Sequence, residues 1–344
     1  MLKYSIKRIL LALLTAFIIL TLTFFLVKSL PFNGIVAPKE STRWAFYQDQ
    51  VFKGFVLDSP VATDKYGNLL EMISMDGVDH YFYQTPIIDQ YFAWLGRIIT
   101  QWDWGVSTVI KPNMSTSSII LERLPNSLKI NIISVVISVP LGILFGIIAG
   151  LNKNTWVDHV ISTLVMIFIS IPSFVVISFL IYFFAFKGNL PLRWPSDDEA
   201  ASVKALAYII PVASLSFGSV CGYTRFVRAE LCEVMSSEYL LLARTKGLTK
   251  RQAIVRHALR NAFVPILPSI LAEFIGVFSG SMILENLYNI NGIGNLYITA
   301  LNAKDYSVLL VDMAIFTTIG LLAGIVLDLS YGFIDPRIRM GEKN

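Results

Sequence analysis

Six long apolar stretches limit what this sequence can fold into more than any other feature of it. A bilayer core of about 30 Å is crossed by roughly 20 apolar residues in a helix, and lipid offers no partner to an unpaired backbone group. The stretches are residues 9–27, 128–151, 160–186, 205–226, 262–284 and 308–332. Charged residues make up only 15% of the chain, too few to cover a soluble domain of this length. The sequence therefore predicts an all-α polytopic membrane protein with six transmembrane helices.

The first apolar stretch follows Lys3, Lys7 and Arg8, as the apolar part of a signal peptide would. It is longer than that part usually is, and no cleavage site of small residues comes after it. We therefore interpret residues 1–30 as an uncleaved transmembrane anchor.

Basic residues collect in the segments that six spans place on one side of the membrane. They are Lys3, Lys7, Arg8, Lys153, Arg225, Arg228, Arg244, Lys246, Lys250, Arg251, Arg256, Arg260, Arg337, Arg339 and Lys343. Cytoplasmic loops carry an excess of Lys and Arg, so we predict a multi-pass protein of the cell membrane with cytoplasmic N- and C-termini. After the anchor we expect an extracytoplasmic segment at 31–125, a transmembrane core at 126–335 with a cytoplasmic loop at 228–261, and a tail at 336–344.

Glycines recur four residues apart in two of the spans. Gly142, Gly146 and Gly150 share one face of the second span, and Gly276 and Gly280 lie in the fifth. Small residues let membrane helices approach closely. We expect the first set to pack helices within or between subunits. For the second set, helix packing and the wall of a transport path are alternatives.

Three acidic residues, Glu273, Asp312 and Asp328, lie inside apolar stretches. A charge at that depth costs several kcal/mol unless it is paired or wet. Glu273, near the middle of the fifth span, is therefore a candidate for the wall of a translocation path, together with Gly276 and Gly280. The alternative is a carboxyl group that is protonated or bonded to a neighbouring helix. In an ion-coupled secondary transporter, all three acids would be proton or sodium sites.

Residues 31–125 form the longest segment outside the apolar stretches. Residues 51–61 and 81–85 have the composition of strands, with a turn at 66–68. Aromatic and apolar residues over 87–104 predict a helix lying in the membrane interface. Roles as a cap on a channel, a receptor contact or a spacer stay open. So does the outer domain of a membrane-anchored enzyme or sensor, although no nucleophile–base set supports that interpretation.

The cytoplasmic loop at 228–261 has the pattern of a helix, a turn and a second helix. Residues 239–246 are helical in pattern, and Gly247 is placed to end that helix in a left-handed conformation. Thr249 can cap a second helix at 250–259. The first helix is too short and too polar to span a membrane, so we expect it to lie along the membrane face. Its basic residues also suit simple topology or contact with lipid headgroups.

This loop resembles the cytoplasmic loop of binding-protein-dependent ABC importer permeases, in the branch that imports oligopeptides and dipeptides. The matching residues are Glu238, Tyr239, Ala243, Arg244, Thr245, Lys246, Gly247 and Leu248, followed by residues 257–262. Leu241 and Leu242 depart from the general EAA pattern of the wider family. Residues 6–31, 123–128, 285–294, 305–306 and 335–339 resemble the same branch.

The resemblance implies the type I ABC importer permease fold and a coupling role for the short helix, which docks on an ATPase subunit in that family. The implied coupling residues are Glu238, Tyr239, Leu242, Ala243, Arg244, Thr245, Lys246, Gly247 and Leu248. The implied partners are a second homologous permease, two ATP-binding subunits, an extracytoplasmic substrate-binding protein and membrane lipid. Peptide is the implied substrate, moved by alternating access. Nickel and glutathione are alternatives, because systems for them share this branch.

No catalytic function is expected of this chain. It has no G-x-x-x-x-G-K-[ST] loop, so it should not hydrolyse ATP itself. The resemblance places ATP and Mg on the partner subunits, and we expect no cofactor here. His80, His159 and His257 are scattered along the sequence and predict no metal site. Nothing in the sequence suggests a nucleic acid partner.

Overall fold

The structure, a computed structural model, describes residues 2–31, 34–63, 68–75, 77–196 and 198–334. Helices dominate it. They are α1 Leu2–Lys28, α2 Glu40–Phe52, α3 Ile87–Gln101, α4 Thr116–Leu151, α5 Trp156–Ile169, α6 Ser173–Leu180, α7 Ala201–Leu206, α8 Ile209–Met235, α9 Glu238–Thr245, α10 Lys250–Ala253, α11 Leu259–Ala262, α12 Ile266–Gly276, α13 Met282–Leu287, α14 Ile293–Ala303 and α15 Tyr306–Ile334. Wider π turns follow α6 at Ile181–Phe186 and α10 at Ile254–Ala258, and a 3₁₀ turn follows α12 at Val277–Ser279. Three strands, β1 Val56–Ser59, β2 Leu69–Met75 and β3 Val78–Gln84, form the one sheet of the described part.

Four helices are long and apolar enough to cross a membrane. They are Ser5–Lys28, Thr116–Leu151, Ala201–Met235 and Tyr306–Ser330. Two further pairs pass the same test only together, because each is bent. Trp156–Ile169 meets Ser173–Phe186 at 98°, and Lys250–Ala262 meets Ile266–Ser279 at 51°. The predicted count of six spans is reached when each bent pair is one span.

The two bends lie at prolines. Pro172 precedes α6 and Pro265 precedes α12, each in the N-cap position. Proline lacks a backbone N–H and its ring disfavours a continuous helix through the preceding residue. The sequence predicted spans at 160–186 and 262–284. The first corresponds to the bent pair Trp156–Ile169 and Ser173–Phe186, and the second overlaps the bent pair Lys250–Ala262 and Ile266–Ser279, so its bounds lie earlier in the chain than expected.

Two further boundaries differ from those expected from hydropathy. The transmembrane core was expected to begin at 126, but its first helix, α4, already begins at Thr116. The polar residues Glu122, Arg123 and Asn126 are helical although they precede the apolar stretch. Helix α8 extends to Met235, so the first eight residues of the loop at 228–261 are helical. The predicted tail, 336–344, lies outside the described residues.

One compact unit of the chain comprises Leu13–Leu124 and Leu296–Thr318. Within it, the segment at 34–115, which we call the insert, packs α2 against an antiparallel sheet of order β1-β3-β2. The rings of Tyr47 on α2 and Phe82 on β3 stack with centroids 4.6 Å apart. Phe46, Val56 and Ile73 complete this buried cluster. Because helix and sheet bury each other's apolar faces, the insert has a core of its own.

The expectations for this segment were partly right. Residues 51–61 were expected to be a strand, but α2 runs through Phe52 and only Val56–Ser59 pairs with β3. The polar sequence of α2 concealed its helical pattern. The strand expected at 81–85 overlaps β3, which ends at Gln84. The helix expected at 87–104 corresponds to α3, which ends at Gln101, before Trp102 takes a left-handed φ of 55°. The turn expected at 66–68 falls largely outside the described residues.

A buried carboxylate fixes the end of the insert. Asp305, directly before α15, is fully buried and accepts hydrogen bonds from loop 107–110 of the same unit. The donors are the Ser107 hydroxyl at 2.5 Å and the backbone N–H groups of Val109 and Ile110, each at 3.0 Å. Such donors compensate the cost of burying the carboxylate.

The second compact unit comprises Met1–Ala12, Pro125–Asn295 and Ile319–Asn344. Here the three glycines of α4 lie against α8. A Cβ added at Gly142 would be 2.6 Å from the Cβ of Tyr223, and one at Gly146 would be 2.6 Å from the Cβ of Val227. At Gly150 the nearest atom would be the Leu231 Cδ2, at 3.0 Å. The glycine face therefore packs two helices of the same chain so closely that a Cβ would clash at Gly142 and Gly146 and would be tight at Gly150.

Candidate functional site

The short helix α9, which we call the coupling helix, is fixed at its C-terminal end by a Schellman motif. Gly247 takes a φ of +95°, and its N–H donates to Arg244 O at 3.0 Å while Leu248 N–H donates to Ala243 O at 3.4 Å. These two bonds satisfy carbonyl groups at the helix end, and the left-handed residue favours glycine. The left-handed conformation predicted for Gly247 is confirmed.

The next helix starts with a capping box. The Thr249 hydroxyl accepts from Gln252 N–H at 3.3 Å, and the Gln252 side chain accepts from Thr249 N–H at 3.1 Å. Each residue thus satisfies a free N–H of the first turn. The cap predicted at Thr249 is confirmed, and the turn between α9 and α10 is held on both sides.

The coupling helix attaches to the chain through Leu240, which is only 4% exposed. Leu240 belongs to a buried cluster with Leu231 of α8 and with Ala253, Ala258 and Ala262. The small alanines let this leucine lie close to the neighbouring backbones. A single side chain therefore anchors the helix.

The opposite face of the coupling helix is uncovered. Leu241 is 63% exposed and Leu242 is 55% exposed, and Tyr239 beside them is also exposed. Glu238, Arg244, Thr245 and Lys246 are exposed as well, while Ala243 and Leu248 are half-buried. Two adjacent exposed leucines between charged residues form an apolar patch of the kind that protein partners cover.

An ion pair stands at the start of the loop. Arg228 of α8 donates from Nη2 to Asp158 Oδ2 of α5 at 2.8 Å, and from Nε to the other carboxylate oxygen at 2.5 Å. The Asp158 side chain is only 1% exposed and also accepts from Asn154 N–H and Ser162 Oγ. A two-pronged Arg–carboxylate contact fixes the orientation of both partners. The sequence did not single out Asp158.

A polar cleft lies between α4, α8 and α12, with a volume of about 320 Å³. Glu273 lines it, and its carboxylate accepts from Ser219 Oγ at 2.7 Å. Asn131 and Ser281 line it as well. Of the alternatives for Glu273, the structure shows a bond to a neighbouring helix together with a place on a cavity wall.

Gly276 and Gly280 line the same cleft, but they are not a helix-packing pair. Nothing lies within 4 Å of a Cβ added at Gly276. Gly280 follows the 3₁₀ turn with a φ of +67°, so it ends the helix. Within the chain these two glycines therefore do not pack a pair of helices, because only Gly276 belongs to a helix and it faces open space. Packing against a second subunit stays a prediction.

Two of the stretches that resemble the family, 123–128 and 285–294, meet beside Ser281 of this cleft. Glu285 of α13 is buried and accepts from Ser281 N–H at 3.1 Å and Asn295 N–H at 3.0 Å. Ser127 of α4 accepts from Ile293 N–H at 2.9 Å. Burial raises the pKa of Glu285, although the donors of Ser127, Asn295, Ser281 and Gly294 oppose the rise. The motifs gave no sign that residues so far apart in sequence would meet.

The remaining acidic residues lie elsewhere. Asp328 of α15 forms an ion pair with Arg8 of α1 at 3.0 Å. Asp312 is fully buried in α15. In the described part of the chain, no group of three or more His, Cys, Asp or Glu residues could hold a metal ion.

Comparison with known proteins gives consistent matches. Residues 142–340 match the family described as binding-protein-dependent transport system inner membrane component. The dipeptide transport system permease protein DppB of Lactococcus lactis is 31% identical, over 99% of this chain and 100% of that protein. The oligopeptide transport system permease protein OppB of Haemophilus influenzae is 30% identical, over 98% and 100%. Among solved structures, a chain of an amino acid ABC transporter with histidines has a TM-score of 0.48 at 19% identity, over 63% of this chain and 94% of that one. Both sequence relatives also extend through residues 35–85, for which the sequence motifs offered no match.

Proposed function

The chain belongs to the family of binding-protein-dependent transport system inner membrane components, and on that premise we propose that it is the permease subunit of an ATP-driven peptide importer. The two full-length relatives are permeases of a dipeptide and an oligopeptide system, which supports peptide as the cargo over nickel or glutathione. As a permease it moves its substrate without chemical change, and ATP is bound and hydrolysed by other subunits.

The proposed assembly contains a second homologous permease, two ATP-binding subunits and an extracytoplasmic substrate-binding protein. The N- and C-termini would lie in the cytoplasm, because the basic segments of the chain then fall on that side. The insert would lie outside, where the substrate-binding protein delivers peptide.

The observation that carries the proposal is the coupling helix. It is held rigidly by the Schellman motif and the capping box, yet Leu241 and Leu242 have no cover. Uncovered leucines on a fixed helix suit an apolar groove on an ATPase subunit. Residues 238–248, with Leu242 at the centre, are the proposed contact.

Movement of the coupling helix would reach the membrane part through two attachments. Leu240 packs on Leu231 of α8, and Arg228 of α8 is bound to Asp158 of α5. The bends before Pro172 and Pro265 give the helices places to reorient. The cleft lined by Glu273, Gly276 and Gly280 is the proposed part of the translocation path, alternately open to either side.

An ion-coupled secondary transporter is less well supported. In such a protein, the exposed face of the coupling helix would have no ATPase subunit to bind. Asp328, one of its three candidate ion sites, is already bound to Arg8.

The proposal is tested by reconstituting the importer in proteoliposomes with its ATPase subunits and substrate-binding protein. We expect ATP-dependent uptake of a labelled tripeptide. Leu242→Asp should reduce capture of the ATPase subunits at least about ten-fold, because an unpaired carboxylate in an apolar contact costs more than about 1.4 kcal/mol.

The matched control is Phe52→Asp in the insert, where the side chain is even more exposed. It introduces the same charge and should leave ATPase capture unchanged. Uptake driven by a proton gradient without ATP, or equal ATPase capture by Leu242→Asp and the wild type, would contradict the proposal.

A further inference from the structure

Two clefts on the same pair of helices differ in chemistry. The cleft beside Ile133, Ile137 and Phe217 is lined almost entirely by apolar side chains of α4 and α8 and by Tyr208 before α8. The cleft beside Asn131, Ser219 and Glu273 carries amide, hydroxyl and carboxylate groups. The first suits lipid or a helix, whereas the second suits water and a polar solute.

Glu273 is the one carboxylate that lines the polar cleft, and no ion pair compensates it in the described part of the chain. Its hydrogen-bond partners are hydroxyl groups, those of Ser219 and Tyr223. Hydroxyl donors orient a carboxylate but leave its charge in place. A carboxylate kept at this depth without a basic neighbour is a site for an incoming positive charge.

The cleft has room for that charge. Its volume of about 320 Å³ is many times the roughly 15 Å³ that one water molecule needs. A hydrated ammonium group can therefore reach the carboxylate. An ammonium group has three N–H donors, and the carboxylate of Glu273 and the side-chain oxygens of Ser219 and Asn131 are acceptors on the same wall.

We propose that Glu273 is a cation-recognition point in the translocation path, which binds the side-chain ammonium group of a lysine in a passing peptide and favours cationic over anionic peptides. This inference rests on the proposed peptide-import function. It assigns to the permease a share of the charge selectivity, separate from that of the substrate-binding protein.

The test measures uptake of two tripeptides, Ala-Lys-Ala and Ala-Glu-Ala, by the reconstituted importer at saturating substrate-binding protein. The ratio of the two uptake rates in a variant is divided by the ratio in the wild type. Selection by the substrate-binding protein cancels, because that protein is the same in both. We expect Glu273→Gln to lower the Lys-to-Glu ratio about five-fold, the effect of losing one partly solvated ion pair.

Two further variants separate recognition from a structural role. Glu273→Asp keeps the charge and should keep the ratio near that of the wild type. Ser219→Ala removes the hydroxyl that orients the carboxylate and should lower the ratio about two-fold. If Glu273→Gln does not fold, the Lys-to-Glu uptake ratio of Ser219→Ala tests the proposal instead: a lower ratio supports it and an unchanged ratio contradicts it. Ile137→Val in the apolar cleft is the matched control and should leave the ratio unchanged.

The outcomes are distinct. A wild-type importer without ATP-dependent peptide uptake overturns the proposed function and this inference with it. Normal wild-type uptake with an unchanged ratio in Glu273→Gln overturns the inference alone. A ratio that falls in Glu273→Gln, stays in Glu273→Asp and stays in Ile137→Val supports it.

Discussion

The insert buries its apolar side chains in a core, whereas the coupling helix leaves most of its own exposed. In the insert, Tyr47 and Phe82 stack inside a closed core between a helix and a sheet. In the coupling helix, Leu240 alone is buried, while Leu241 and Leu242 beside it remain exposed. Both regions lie outside the apolar stretches.

The two regions differ in the source of their stability. The insert is stabilised by the apolar faces that its helix and sheet bury against each other. The coupling helix has two turns, too few to be stable alone, and depends on end bonds and one leucine. A region with fixed ends and an uncovered face needs a partner to bury that face. Four variants test this contrast, with expected effects that decrease from Phe82→Ala to Gly247→Ala.

Phe82→Ala should have the largest effect. Removing this fully buried ring should destabilise the insert by about 3–5 kcal/mol, the usual loss for Phe→Ala in a core. The measurement is hydrogen–deuterium exchange of β3 in the purified protein. Met72→Ala on the exposed side of the sheet is the control and should change stability by less than about 0.5 kcal/mol. Equal effects would mean that the insert has no core of its own.

Arg228→Met tests whether the ion pair with Asp158 holds the start of the cytoplasmic loop at 228–261 in place. It leaves the Asp158 carboxylate buried without its cation, and we expect a loss of about 3 kcal/mol in the free energy of unfolding. Asp158→Asn should lose less, because Arg228 is about one-third exposed and can turn to water. Unfolding in mixed micelles by SDS titration measures both. A larger loss of unfolding free energy in Asp158→Asn than in Arg228→Met would contradict this prediction.

Leu240→Ala tests whether one side chain anchors the coupling helix. We expect a local loss of about 2–3 kcal/mol, at the low end for buried leucine, because the helix has a solvent side to collapse into. Faster hydrogen exchange should be confined to residues 238–248. Leu241→Ala is the paired variant and should leave exchange in the isolated chain unchanged, since its side chain is exposed.

Gly247→Ala should have the smallest effect, about 1 kcal/mol. Its φ of +95° strains any residue with a Cβ, but nothing lies within 4 Å of the added atom. Gly146→Ala is the comparison, because its added Cβ would collide with Val227. Thermal denaturation in detergent should rank Gly146→Ala as clearly the worse. If the two are equal, backbone strain at the turn exceeds this estimate.

Much of the fold could be predicted from local sequence. The apolar stretches located the spans, since membrane helices must be long and apolar. Gly247 and Thr249 located the turn of the coupling loop, because left-handed and capping positions select particular residues. The glycine spacing in α4 indicated a packed face, and the structure supplies its partner, α8.

Local sequence could not predict which distant residues contact each other. Asp158 and Arg228 are 70 residues apart, and Ser127 and Ile293 are 166 apart. No periodicity carries such information. Helix α2 was missed for another reason, since its polar sequence lacks a clear apolar stripe. The breaks before Pro172 and Pro265 were marked by the prolines, but their angles depend on packing.

The long reach of Asp305 has a consequence for biosynthesis. Ser107 and Asp305 are 198 residues apart, so the ribosome makes the loop at 107–110 long before its carboxylate exists. Until α15 is inserted, the N–H groups of Val109 and Ile110 must bond to water, and the end of the insert stays unfinished. A chain truncated before Asp305 would therefore expose this loop to proteases. A quality-control protease could distinguish incomplete chains from complete ones at this loop.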